Sequence, residues 1–74
     1  MAIKSKEDIE DVFSYHAPSV DQQEALITVR TKAKEFAELL LQYVPESADR
    51  STAFRLLREC VMTANAAIVL EGRH

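Results

Sequence analysis

The feature that most constrains this chain is a pair of long apolar patterns with helical spacing, separated by Pro45. The apolar side chains of both stretches recur at intervals of three and four residues. Such spacing is typical of helices that pack along a seam, and proline ends a helix. We therefore expect an antiparallel helical hairpin. The expected seam consists of Leu26, Val29, Ala33, Phe36, Leu40 and Tyr43 on one helix and of Phe54, Leu57, Val61, Ala64 and Ile68 on the other.

Capping signals indicate where the helices begin and end. Ser5 precedes an acidic first turn, and Ser19 is followed by Gln22 at the spacing of a capping box. Ser47 or Asp49 is expected to cap the last helix, and Gly72 to end it. The sequence thus predicts one all-α domain over residues 1–74, with a short helix at about 6–14 and long helices at about 20–43 and 49–70.

The apolar residues outnumber the places that a hairpin seam can offer. Hydrophobic residues make up 47% of the chain, and many lie on other faces of the two long helices. A single cysteine, Cys60, excludes an intrachain disulfide, and no metal-ligand spacing is present. We therefore expect a homo-oligomer, since oligomerisation is the remaining way to stabilise so small a core. A marginal monomer with an apolar surface is the alternative.

Charge and motif content narrow the possible functions. The net charge is −3, and the nine cations are scattered among twelve acidic residues, which disfavours binding to duplex DNA. No apolar stretch reaches the ~20 residues of a membrane span, and no apolar signal core follows Met1, so we expect a soluble intracellular protein. No nucleophile motif, glycine-rich phosphate loop or metal set is visible. We expect neither enzyme activity nor a cofactor.

The turn after the first helix contains an aromatic ring, Tyr15, followed by His16 and Pro18. A tyrosine at a helix end offers a flat face on which a nucleotide base can stack, although packing at an interface is the commoner role. His16 could contact a ligand or instead cap the preceding helix. Pro18 fixes the turn, because it disfavours helical geometry at Ala17, and we count it with Tyr15 and His16 among the expected ligand-binding residues.

Cations on the first long helix form a second candidate. Arg30 and Lys34 are four residues apart and therefore share a helix face, where they could hold a phosphate. The alternative is a solvated face on which Lys34 pairs with Glu38.

Polar residues on the last helix complete the candidates. Asn65 lies among alanines and could contact a ligand or specify the approach of another helix. Arg50 and Ser51 lie in the first turn, where they could hold an anion at a second ligand site or merely cap the helix.

Five short segments carry a resemblance to a known family, namely residues 13–18, 30–35, 45–47, 49–51 and 62–68. In their order and spacing they resemble the phage anti-CBASS cyclic-oligonucleotide sponge family, the group similar to anti-CBASS protein two. The resemblance covers about residues 8–68. The sequence departs from the family pattern at Arg30, where some members have lysine, and at Thr63, where many have tryptophan.

The resemblance implies a homohexamer that binds cyclic dinucleotides, and in some members cyclic trinucleotides, without cleaving them. By sequestering these messengers in the host cytoplasm, such a protein keeps the CBASS effector inactive. The resemblance assigns base stacking to Tyr15 and a phosphate contact to Arg30. Two rival classes are a helical adaptor that binds another protein and a small transcription regulator, which the acidic balance disfavours.

Overall fold

The computed structural model describes residues 3–74 and contains three α-helices and no strand in that range. They are α1 (Lys6–Phe13), α2 (Val20–Tyr43) and α3 (Ala48–Val69). The expected all-α class is therefore confirmed, while residues 1 and 2 of the expected domain lie outside the described residues. The two long helices keep their expected positions, with α3 starting and ending one residue early. No helix within residues 3–74 combines the length and apolar character that crossing a membrane requires.

Local hydrogen bonds explain where the two long helices begin. The Ser19 hydroxyl accepts from the Gln22 backbone N–H at 3.2 Å, and the Gln22 side chain accepts from the Ser19 N–H at 2.9 Å. This is the expected capping box. Ser47 caps α3 by accepting from the Arg50 N–H at 3.1 Å, so the choice between Ser47 and Asp49 falls to Ser47.

The end of α3 differs from the expectation that a glycine would form its cap. Leu70 is the C-cap of α3, and Glu71 directly follows it. Glu71 adopts the left-handed backbone conformation with φ 54°, and so does Gly72 with φ 73°. The Glu71 N–H donates to the Ile68 carbonyl at 3.3 Å, and the Gly72 N–H to the Ala67 carbonyl at 2.9 Å. This pair of bonds is a Schellman motif whose left-handed position holds glutamate, a residue that pays a steric penalty there.

The seam between α2 and α3 follows the prediction on α3 and departs from it on α2. All five expected seam residues of α3 are half-buried. On α2, however, Phe36 and Tyr43 are 51% and 72% exposed, and Ala37 and Val44 are half-buried in their place. The expected seam was wrong at these two positions. Ala37 lies four residues after Ala33, close to the helical period of 3.6, and therefore faces α3 as Ala33 does. The short alanine side chain lets α2 and α3 approach each other closely.

The hairpin leaves much of its apolar surface uncovered. Leu70, at 7% exposure, is the one hydrophobic residue in residues 3–74 that is buried. The chain exposes 5950 Å², whereas a compact monomer of this mass exposes about 4,600 Å². Its radius of gyration is 15.3 Å, against about 11 Å for a compact domain of this length. An elongated pair of helices explains both differences.

Candidate functional site

An open groove of about 390 Å³ lies between α2 and α3 near the middle of the hairpin. Its apolar floor comes from both helices, and three cationic side chains line it as well. The floor consists of Ala33, Ala37, Phe54, Leu57, Val61 and Met62, and the cations are Arg30, Lys34 and Arg58. Ala33 and Ala37 make the groove possible, because their short side chains leave space beside the larger residues of α3.

The three cations of the groove have no charged partner in the described part of the chain. No carboxylate lines it, and none of its three cations forms an ion pair within residues 3–74. Neighbouring cations differ: Lys32 pairs with Glu35 at 3.3 Å on α2, and Arg55 with Glu59 at 4.0 Å on α3. Uncompensated cations beside an apolar floor suit an anion that also has flat apolar groups.

The groove contains two of the residues expected from the sequence and one that was missed. Arg30 and Lys34 lie together, as their spacing of four predicted. Arg58 reaches the same groove from α3, where it flanks the seam on the side of Met62. Its position next to Leu57 was a usable signal, but only the antiparallel packing of α3 on α2 brings it near Arg30.

The loop between α1 and α2 contains three more of the expected ligand-binding residues, namely Tyr15, His16 and Pro18. The Tyr15 ring is 87% exposed. The His16 ring hydrogen-bonds the Asp11 carbonyl in the last turn of α1, which is the capping role that the sequence left as the alternative. The Pro18 carbonyl accepts from the Gln23 side chain at 3.2 Å and so ties the loop to α2.

This loop lies away from the groove in a single chain. It leads into Val20, the first residue of α2, and Arg30 follows ten residues later, ~15 Å along the helix axis. Tyr15 is accordingly absent from the groove lining. One chain therefore does not bring Tyr15 and Arg30 together, although both were expected to contact one ligand.

Asn65 lies one helical turn beyond Val61 on α3 and outside the groove lining. Its Oδ1 atom is shielded from solvent and accepts no hydrogen bond within residues 3–74. An unsatisfied shielded oxygen costs about 1–3 kcal/mol. A donor from a ligand or from another copy of the chain would remove this cost.

Arg50 and Ser51 lie at the opposite end of the hairpin, beside the turn. The Arg50 guanidinium donates to the Val44 carbonyl at 3.4 Å and so caps the end of α2. The Ser51 N–H donates to the Ser47 carbonyl at 3.1 Å. The first contact is a cap and the second is the first backbone hydrogen bond of α3. A second ligand site at these residues stays a prediction.

A polar cluster at the other end joins α1 to the tail that follows α3. Arg73 donates to Asp11 through Nε at 2.9 Å and through Nη2 at 3.0 Å, and the His74 ring contacts the same carboxylate at 2.8 Å. The hydrogen bonds from Arg73 and then His74 hold the pKa of Asp11 well below its usual range, and Asp11 raises the pKa of Arg73. We call Asp11, Arg73 and His74 the latch.

One comparison identifies the family. A family model described as "Acb2/Tad1, hairpin domain" matches residues 5–69. The chain belongs to the Acb2/Tad1 family, that of anti-CBASS protein 2 and Tad1. The resemblance noted in the sequence is thereby confirmed. No curated protein and no solved structure matches the chain.

The Acb2/Tad1 family is one of phage anti-defence proteins that sequester cyclic oligonucleotides rather than turn them over. The matched region of the Acb2/Tad1 hairpin includes the groove cations, the Tyr15 loop and Asn65. Arg73 and His74 lie beyond it, so the family match gives no account of the latch.

Proposed function

We propose that this protein binds cyclic dinucleotides, with cyclic trinucleotides as a second ligand class, and releases them unchanged. Acting in the host cytoplasm, it keeps these messengers from the CBASS effector. The observation that carries the proposal is the groove in which Arg30, Lys34 and Arg58 face an apolar floor without any carboxylate.

The chemistry of the groove matches that of a cyclic dinucleotide. Such a ligand combines phosphodiester anions with flat bases. The guanidinium forks of Arg30 and Arg58 suit two phosphate oxygens each, while Lys34 acts as a point charge. Phe54 and Met62 offer apolar contact for a base at the same place.

The open groove needs a cover, and another copy of the chain is the cover we propose. Tyr15 is highly exposed and precedes α2, whose first residue, Val20, is already ~15 Å from Arg30 along the helix axis. Its ring would therefore reach a bound base from a neighbouring copy. The roughly 1,300 Å² by which the surface exceeds that of a compact monomer supports assembly. The family resemblance supplies the expected number of six.

The affinity that sequestration demands supports an enclosed site. To compete with an effector, the protein needs nanomolar binding, about −12 kcal/mol. A base stack contributes about 1–3 kcal/mol, and each charge-assisted hydrogen bond about 1.5–3 kcal/mol. The contributions of one base stack and three cations together approach about −12 kcal/mol only when water is excluded from the site. The open groove of a single chain does not exclude water.

Calorimetry with a panel of cyclic di- and trinucleotides tests the proposal on the wild-type protein. We expect nanomolar binding of at least one ligand. After denaturation of the complex, mass spectrometry should recover that ligand intact. Linear products above a control without protein would make the chain an enzyme, and no binding across the panel would refute sequestration.

Matched substitutions on α2 distinguish the loss of a direct ligand contact from the general effect of removing a positive charge. Arg30→Ala should weaken binding about ten- to a hundredfold, whereas Lys32→Ala, which removes the same charge from another face of α2, should leave it nearly unchanged. Tyr15→Ala should weaken binding about tenfold or more. Sedimentation must show that the variants keep the wild-type assembly, since lost assembly would indicate that Tyr15 packs at an interface.

A helical adaptor is the second candidate, and one surface favours it. Phe36, Leu39 and Tyr43 are exposed large side chains that share a face of α2. Such a strip suits a protein partner as well as another copy of the chain. A wild-type assembly that binds no cyclic nucleotide but retains this exposed strip would favour the adaptor.

A further inference from the structure

The short helix α1 has little to hold it in place. It has eight residues, fewer than an isolated helix needs in water. Within residues 3–74, α2 and α3 are the one pair of helices whose backbones pack together. Phe13 on α1 is 75% exposed, and Ile9 is exposed as well. Val12 is the one apolar residue of α1 that is half-buried, so apolar packing holds α1 only weakly.

The latch provides the missing attachment. Arg73 grips both carboxylate oxygens of Asp11, a bidentate geometry that fixes orientation as well as distance. The His74 side chain, only 8% exposed, contacts the same carboxylate. The tail that supplies both residues is itself held, because the Schellman motif fixes Glu71 and Gly72 at the end of α3. The latch thus ties α1 to the end of the hairpin.

Tyr15 lies between two fixed points. On one side, Asp11 is held by the latch, and its backbone carbonyl also receives the bond from His16. On the other side, the capping box of Ser19 fixes the start of α2. The ring of Tyr15 is almost fully exposed and so has little contact of its own to hold it. Its position consequently depends on the anchors at either end of the loop.

We propose that Asp11 and Arg73 are positioning residues that hold the Tyr15 side chain where a nucleotide base can stack on it. The part of this proposal that concerns binding rests on the proposed function, while the part that concerns the position of Tyr15 does not. Releasing the latch leaves the groove cations untouched, because they lie on α2 and α3 away from the tail.

Fluorescence anisotropy tests the positioning without any ligand. The chain contains no tryptophan, so Tyr15→Trp introduces a single indole at the position of interest. In this background, Asp11→Asn and Arg73→Gln should each increase the fast local motion of the indole. Arg55→Gln, which removes an exposed arginine on α3, should not. Unchanged local motion in Asp11→Asn, with circular dichroism showing intact helices, would overturn the proposal.

A double-mutant cycle tests the route of action on binding. We expect Asp11→Asn to lower the affinity for the tightest-binding cyclic dinucleotide about fivefold. This is the loss that would result if the loop kept its binding position one fifth of the time. In a Tyr15→Ala background, the same substitution should have no further effect. Arg73→Lys should restore part of the affinity lost in Arg73→Gln.

The outcomes of this cycle separate the two proposals. Equal weakening in both backgrounds would mean that Asp11 acts without Tyr15, which refutes the positioning role and leaves sequestration standing. If the wild-type protein bound no cyclic nucleotide at all, the proposed function would fail. The anisotropy of the indole would then still decide whether the latch positions residue 15.

Discussion

Arg58→Ala is the sharpest test of the groove, because only the folded hairpin identifies this residue. Arg58 reaches the groove from α3 and lines it together with Arg30 and Lys34. It forms no ion pair with a carboxylate within residues 3–74. Its removal should delete one charge-assisted phosphate contact, worth about 1.5–3 kcal/mol. At 1.4 kcal/mol per decade, affinity for a cyclic dinucleotide should fall about ten- to a hundredfold.

Arg55→Ala is the matched control for this prediction. Arg55 lies three residues earlier on the same helix, outside the groove lining, and pairs with Glu59 at 4.0 Å. Both substitutions remove one positive charge from α3, so their effects on the long-range field are similar. Loss of the exposed pair itself costs less than about 1 kcal/mol of stability. The difference in affinity between the two variants therefore isolates the direct contact.

Isothermal calorimetry on both variants, with sedimentation as the check on assembly, measures this difference. Equal affinities for Arg58→Ala and Arg55→Ala in intact oligomers would refute the reasoning that the groove binds phosphate. Repeating the titrations at higher salt adds a second criterion. The wild-type affinity should fall more steeply with salt than that of Arg58→Ala, because fewer ionic contacts remain in the variant.

Three further predictions concern stability and assembly. Glu71→Gly should raise the melting temperature, by about 4–8 °C per kcal/mol gained, because glycine tolerates φ 54°; a lower value would mean that the contacts of Glu71 outweigh its strain. Because folding lowers the pKa of Asp11, the ionised Asp11 carboxylate should stabilise the fold above pH ~4 and lose this effect as the pH falls. The melting temperatures of wild type and Asp11→Asn should therefore converge in acid. Phe36→Ser should dissociate the oligomer in sedimentation while circular dichroism stays helical, since the ring is half exposed in one chain.

Local chemistry made the helices predictable from the sequence. The capping box at Ser19 and the serine cap at Ser47 depend on residues within one helical turn, and the apolar spacing depends on the helix period alone. The choice between Phe36 and Ala37 was not local. Both are apolar, and which of them faces α3 depends on how closely the two helices approach. The alternating spacing of three and four residues suggested Phe36, whereas close packing of the two helices selected Ala37.

The parts of the site that sequence reasoning missed involve contacts between distant residues. Arg58 joins Arg30 only through the antiparallel packing of α3 on α2. Asp11 and Arg73 are 62 residues apart, and nothing in either neighbourhood indicates the other. Arg30 and Lys34 could be paired in advance because they lie on one helix. In the proposed assembly, whether Tyr15 meets them depends on how several copies are arranged, which no local pattern in the sequence of one copy encodes.

The distribution of side chains around α2 shows how one helix can serve both the proposed assembly and the proposed ligand binding. At about 100° per residue, Lys34 and Tyr43 point in opposite directions, and Arg30 lies about 120° from Phe36. One flank of α2 thus presents the groove cations, and the other presents the exposed strip of Phe36, Leu39 and Tyr43. Copies that pack through the apolar flank leave the basic flank accessible. A chain of this size can therefore place an anion site beside its oligomer contacts without burying an unpaired charge, which would be costly.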